Sequence, residues 1–119
     1  MKQIRVLIVD DSAFARKVLR DVLQAAPGIE VVGIARDGLD ALAKIEELDP
    51  DVMTLDLVMP NLDGLDTLRA LAGRPRPRTV VVCMADSDSG QAFAALEAGA
   101  ADVVHKPTAL ATDRLYDLS

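Results

Sequence analysis

Four ionisable groups stand where apolar runs stop. Asp10 and Asp11 follow Ile4 to Val9, Asp56 follows Val52 to Leu55, and Lys106 lies just beyond Asp102 to Val104. Three carboxylates brought close repel one another, and the repulsion is relieved either by protons or by a cation. An all-oxygen ligand set favours a hard ion. A sparse set with room for water favours Mg²⁺, or Mn²⁺ in its place, over Ca²⁺. Lys106 is a compact cation able to hold an anion beside such a metal. A metal and a lysine around a carboxylate are what phosphoryl transfer to that carboxylate requires. Asp56 is therefore the expected chemical centre. Any one aspartate at a strand end is as well explained as a cap or turn former; the weight lies on all of them standing at the ends of different strands, together with Lys106-Pro107.

That convergence needs a particular scaffold. Ile4 to Val9 is β-branched and apolar apart from Arg5, and Ser12 stands ready as an N-cap. Ala15, Val18, Leu19, Val22 and Leu23 then repeat at helical spacing, which predicts a helix burying one face until Pro27-Gly28 ends it. Ile29 to Ala35 is a second strand, and Asp37-Gly38 turns the chain. Ala41, Leu42, Ile45 and Leu48 give a second helix, closed by Asp49-Pro50. The third strand carries Asp56, with Pro60, Asn61 and Gly64 as its loop. Leu65, Leu68 and Leu71 or Ala72 mark a short third helix. Gly73 to Arg78 holds two prolines and is a solvated surface turn. Thr79 to Met84 is the fourth strand, Ala85 to Gly90 a polar loop, and Phe93, Leu96 and Ala100 a fourth helix with Gly99 as its left-handed cap. Asp102 to Val104 is a short fifth strand, and Thr112-Asp113 could cap a fifth helix through Leu115 and Leu118. Strands alternating with helices imply a parallel sheet covered on both faces, with right-handed crossovers. All strand ends then share one edge, where open α/β sheets bind ligands.

The 119 residues make one domain with a real core, and an apolar half excludes a disordered chain. A net charge of −6 argues against nucleic-acid binding. The single cysteine, Cys83, cannot form an internal disulfide and fits a reducing, cytoplasmic compartment; its place within a strand points to burial rather than reactivity. The apolar start, Val6 to Val9, is too short for a signal peptide, and no run approaches the roughly 20 residues of a membrane span, so no membrane insertion is expected. Met53 and Met84 read as core, and His105 as a structural or surface residue rather than a ligand.

Val9-Asp10-Asp11-Ser12, Leu55-Asp56 with Met59-Pro60 and Asp63-Gly64, Ala98-Gly99-Ala100 and Lys106-Pro107 together resemble the receiver domain of two-component response regulators. The resemblance spans nearly the whole chain. It implies a flavodoxin-like, doubly wound sheet of five strands in the order 2-1-3-4-5. It implies that Asp56 accepts phosphate from a sensor histidine kinase. It also implies Mg²⁺ on Asp11, Asp56 and the backbone carbonyl of Val58, with Asp10 acting through water, Lys106 on a phosphoryl oxygen, and a cis bond between Lys106 and Pro107. Within that family the chain is most similar to the N-terminal domain of chemotaxis protein-glutamate methylesterases. The segments that carry this are Asp11-Ser-Ala13, Glu30 to Gly38, Met53 to Asp56, Met59 to Asp66 and Ala95 to Asp102. On that likeness residues 1–107 are the receiver core. Residues 108–119 begin a fifth helix or linker toward a C-terminal hydrolase domain, which is the expected intramolecular partner.

Two other classes remain open at this point. One is a stand-alone receiver acting by protein binding. The other is an aspartate-nucleophile phosphohydrolase, which wants a second carboxylate two residues past the nucleophile; Val58 and Ser12 stand there instead. A flavin or nucleotide binder wants a glycine-rich phosphate loop or aromatic clamps, and the sequence has neither. The chain also departs from the receiver pattern at its switch positions. Counted back from Lys106, Met84 falls where receivers carry a Ser or Thr hydroxyl, and Val103 where they carry a mobile aromatic ring. A thioether cannot donate to a phosphoryl oxygen, although the backbone N–H of Ala85 could reach the phosphate. Phosphorylation is therefore expected to switch this surface weakly.

Overall fold

The computed structural model describes residues 2–59, 61–84 and 89–106, and of Met84, Ser89, His105 and Lys106 the backbone alone. Its elements run β1 (Ile4–Val9), α1 (Ala13–Ala25), β2 (Ile29–Ala35), α2 (Gly38–Leu48), β3 (Val52–Leu55), α3 (Gly64–Ala70), β4 (Arg78–Met84), α4 (Ser89–Glu97) and β5 (Asp102–Lys106). The five strands form one parallel sheet in the order β2-β1-β3-β4-β5. The expected architecture and strand order are both observed. The fifth helix and the Lys106–Pro107 bond lie outside the described residues; the cis peptide among the described residues is Arg76–Pro77.

Alternation along each strand divides the molecule into two faces. Leu7, Val9, Met53, Leu55, Val81 and Cys83 point to one face. There they join Ala41 and Ile45 of α2, Leu68 of α3 and Ala95 of α4 in a single core. Val6, Ile8 and Val82 are equally buried but face the other way, toward the side of α1. The order 2-1-3-4-5 with right-handed crossovers demands this division, because the chain winds one way from β1 to β2 and the opposite way thereafter. Burying each of the large side chains is worth about 1.5–3 kcal/mol, so Leu7, Ile8, Met53 and Leu55 anchor the centre of the sheet.

Local chemistry sets the ends of the elements. Ser12 caps α1 by accepting from the Ala15 amide, Asp37 caps α2 from Asp40, and Asp63 caps α3 from Asp66. Asp49 takes the left-handed conformation at the end of α2 (φ 46°), and Gly99 does so after α4 (φ 114°).

Several expectations shift. β4 starts at Arg78 rather than Thr79, since Arg78 already pairs with Val52. β5 continues to Lys106 because Cys83 and Met84 pair with His105 and Lys106. Gly90 belongs to α4 and not to the preceding loop. The apolar stripe of α1 contains no fully buried residue, and Val22 is well exposed, because α1 packs chiefly over β2 at the edge of the sheet. In α4 it is Ala95 that turns inward, while Phe93 and Leu96 are exposed. The basic turn is not merely solvated: Arg74 pairs with Glu46 at 2.7 Å, and Arg76 with Asp49 at 2.9 Å and Asp51 at 3.7 Å. These pairs tie the turn to the edge of the sheet remote from Asp56. Cys83 is buried, with its thiol 3.8 Å from the Val104 carbonyl oxygen.

Candidate functional site

The pairing of β1 with β3 puts Val9 opposite Leu55, so the next residue of each strand, Asp10 and Asp56, emerges at the same level. Both backbones remain in the ladder. The Asp10 amide donates to the Ala35 carbonyl at 3.1 Å, and the Asp56 amide to the Val9 carbonyl at 3.0 Å. Asp10 is 1% exposed and Asp56 6%, while Asp11, one residue into the loop, is open to solvent. Carboxylate oxygens of Asp10, Asp11 and Asp56 all lie within 4.8 Å of one another.

Each buried carboxylate is oriented by the loop that follows it. The Ser12 amide donates to Asp10 Oδ1 at 2.9 Å, and the Val58 amide to Asp56 Oδ1 at 3.3 Å. The Arg16 guanidinium donates to the Asp10 carbonyl oxygen at 2.7 Å, holding the turn between β1 and α1 from beneath. Arg16 was not expected from the sequence. Its spacing of six residues from Asp10 becomes meaningful only once α1 is known to start at Ala13.

Three oxygens of like charge at this spacing suit a small divalent cation, with two buried ligands fixed by the sheet and one exposed ligand adjustable. Val58 is 67% exposed, which leaves the loop beside Asp56 open for further ligands. Lys106 ends β5 beside Met84 at the same carboxyl edge; its side chain, that of Met84, and Ala85 and Pro107 lie outside the described residues. Val103 sits on β5 opposite Val81, packed against the core as a partly buried aliphatic. The sequence-expected carboxylates thus come together as a cluster.

A second polar contact borders the site. Asp37 Oδ1 accepts from the Asp40 amide at 2.8 Å, and its Oδ2 accepts from the Asn61 side-chain amide at 2.8 Å. The Asp40 amide first, and the Asn61 side chain next, hold the Asp37 carboxyl below its ordinary value of 3.8. Its charged form, and with it the cap, therefore persists through neutral pH and is lost only as acidification passes that lowered value.

Comparison with known proteins agrees with this geometry. Residues 6–117 match the family model described as the response regulator receiver domain. The chain is 69% identical, over 97% of its length, to protein-glutamate methylesterase/protein-glutamine glutaminase 5 of Myxococcus xanthus, covering 33% of that protein. It is 51% identical over 90% of its length to the corresponding protein of Symbiobacterium thermophilum, covering 30% of it. The chain thus spans about a third of the length of the curated relatives it matches. Among solved structures, the response regulator domain of Thermotoga maritima CheB superposes with a TM-score of 0.83 at 39% identity, over 98% of this chain and 91% of that one. A chain of the CheX-CheY-BeF3-Mg²⁺ complex from Borrelia burgdorferi superposes with a TM-score of 0.81 at 28% identity, over 98% of this chain and 90% of that one. No helix among the described residues is long and apolar enough to cross a membrane.

Proposed function

The chain belongs to the response regulator receiver family, and from that premise we propose that Asp56 is the phosphoacceptor of a chemotaxis-type phosphorelay. The observation that carries this reading is the cluster of Asp10, Asp11 and Asp56 oxygens within 4.8 Å at the ends of two adjacent strands. An Asp56 oxygen attacks phosphorus of a phosphohistidine on a sensor kinase. The P–O bond forms, the P–N bond breaks, and the imidazole leaves and takes a proton from water. Asp11, Asp56 and the Val58 carbonyl would hold Mg²⁺, with Asp10 acting through water. The ion supplies charge neutralisation for the phosphoryl oxygens. Lys106 and the Ala85 amide receive the remaining phosphoryl oxygens. The likeness to the Borrelia CheX-CheY-BeF3-Mg²⁺ complex supports the same ligand class here.

The test is intact-mass analysis after incubation with a small acyl phosphate and Mg²⁺. The chain is expected to gain one phosphoryl group. Asp11→Ala removes the exposed ligand and is expected to weaken Mg²⁺ binding, and with it labelling at limiting metal, by at least about tenfold. Normal labelling of Asp11→Ala would refute the metal assignment.

The relatives, about three times as long, are named methylesterases and glutaminases. In our reading this receiver restrains a C-terminal hydrolase domain in a longer cytoplasmic parent. Among the described residues, Phe93 and Leu96 of α4 and Val104 of β5 are exposed apolar side chains that could serve that contact. Deleting residues 1–119 from the parent is expected to raise its basal esterase rate; an unchanged rate speaks against restraint.

The readout is muted by Met84 and Val103. A charge-assisted hydrogen bond is worth about 1.5–3 kcal/mol, enough to change the active population about tenfold or more. Met84→Thr is expected to enlarge the phosphorylation-dependent amide shifts around Phe93 and Val103. Wild-type shifts already as large as the variant's contradict this.

A further inference from the structure

Val58 follows the acidic cluster, and the described residues around it, Leu57, Asn61 and Leu62, are tied on two sides. At the base the Gly64 amide donates to the Leu57 carbonyl at 3.0 Å. On the outer side they are clasped to the turn between β2 and α2. There the Asn61 side-chain amide reaches Asp37 Oδ2 at 2.8 Å, and the Gly38 amide donates to the Leu62 carbonyl at 3.0 Å. The approach is so close that a side chain at Gly38 would strike Thr67 Oγ1, the Leu62 carbonyl oxygen and, at 2.8 Å, Leu62 Cβ. Asn61 holds the left-handed conformation (φ 66°), which asparagine tolerates better than most residues. Asp37 therefore uses its two oxygens for two tasks: Oδ1 starts α2, and Oδ2 holds a neighbouring loop.

We propose that Asp37 is a positioning residue of the metal site: by holding Asn61, three residues beyond Val58, it limits where the Val58 carbonyl can stand relative to the acidic cluster before the ion arrives. The inference rests on the reading of Val58 as a carbonyl ligand. A loop already in its ion-bound conformation does not have to be ordered on binding, so the ion's affinity gains the entropy that a loose loop would have lost. Groups that orient metal ligands typically account for 10–100-fold in metal affinity, with about tenfold expected for an exposed clasp. The contact is at the surface, so its loss costs the fold little.

The test exchanges the two side chains. Asp37→Asn keeps an oxygen to cap α2, since asparagine caps as well as aspartate, and Asn61 can turn its amide over to offer Oδ1 to the new amide, so this variant keeps the contact and is the control for the lost charge. Asp37→Ser keeps a cap and has no second acceptor. Asn61→Asp sets two carboxylates together. The double variant, Asp37→Asn with Asn61→Asp, restores one donor and one acceptor with the net charge of the wild type. Mg²⁺ affinity is measured by calorimetry on the 119-residue chain, with thermal midpoints and with metal-free amide hydrogen exchange at Val58 and Gly38. Asp37→Ser and Asn61→Asp are each expected to bind Mg²⁺ about tenfold more weakly, to exchange faster at those amides without metal, and to melt close to the wild type; Asp37→Asn is expected to stay closer to the wild type in both affinity and exchange. The double variant is expected to recover affinity and protection.

Asn61→Asp separates the clasp from simple electrostatics, because an added negative charge near the site would tighten cation binding if charge alone mattered. Tighter binding by Asn61→Asp, wild-type affinity in Asp37→Ser, or a double variant no better than Asn61→Asp overturns the inference while leaving the metal site standing. A wild-type chain that binds no Mg²⁺ overturns the metal reading and this inference with it.

Discussion

Asp56→Asn is expected to gain no phosphoryl group from an acyl phosphate under conditions that label the wild type fully, because a carboxamide cannot serve as the nucleophile. The same substitution is expected to make the metal-free chain more stable. Asp10 and Asp56 are both buried, and their oxygens lie with that of Asp11 inside 4.8 Å. At that spacing two like charges in a medium of effective dielectric about 20 repel by roughly 3 kcal/mol. Neutralising one member is expected to recover about 1–3 kcal/mol in urea unfolding without metal. The Val58 amide keeps an oxygen to donate to. Added Mg²⁺ raises the wild-type midpoint by mass action, so the gap between wild type and variant should narrow or reverse as Mg²⁺ is titrated in. Full labelling of the variant at another residue would overturn the assignment of Asp56. A variant that melts below the metal-free wild type would show that charge repulsion is not the dominant cost of assembling the site.

Gly64→Ala is expected to be among the most damaging single-atom-scale changes in the molecule. Gly64 opens α3 directly against the strand end that carries Asp56. A Cβ there would lie 2.5 Å from the Asp56 carbonyl oxygen and 2.6 Å from Leu57 Cα. Both are backbone atoms and cannot swing aside as a flexible side chain can. The expected loss is about 3 kcal/mol or more, a large share of the roughly 5–15 kcal/mol that holds a domain of this size together. Any chain that still folds must move Asp56, so its Mg²⁺ affinity should fall as well. Gly73→Ala is the control. Gly73 has φ 84° with open space around it, so alanine there meets only left-handed strain of about 1–2 kcal/mol. If Gly64→Ala is no worse than Gly73→Ala in urea unfolding, the close approach of α3 to Asp56 is not rigid.

How much of this could be read in the sequence depends on whether the cause was local. Strand cores such as Ile4–Val9 and Val52–Leu55, the cap at Ser12 and the left-handed turn at Gly99 are set by neighbours in sequence, and all appear as expected. The acidic cluster is not local, yet it was legible, because a parallel sheet forces strand ends to one edge whatever lies between them. Details set by partners distant in sequence were hidden. Arg78 joins β4 because Val52 lies beside it. Arg74 and Arg76 are ion-paired because the end of α2 and the start of β3 supply Glu46, Asp49 and Asp51 at the same edge. Phe93 and Leu96 have the composition of a buried helix face, but α4 meets the sheet through Ala95, whose small size lets the backbone come close. The Asp37–Asn61 contact joins two loops that each looked like an ordinary turn. Two turn signals carry no information about each other until the topology puts them side by side.

The backbone ladder that continues through Asp10 and Asp56 has a consequence for where motion can occur. Their amides are bonded across the sheet, that of Asp10 to Ala35 of the edge strand β2 and that of Asp56 to Val9 of β1, so they exchange with deuterium only when those strands separate. The Ser12 and Val58 amides, one turn further along, are bonded to side-chain carboxylates and can open alone. Stability therefore drops steeply over two residues, from globally protected to locally mobile. Asp56 sits on the stiff side of that step. A change of charge at Asp56 is therefore expected to be relayed less by bending the strand beneath it than, among the described residues, by the loops above the sheet, whose amides are held by single side chains.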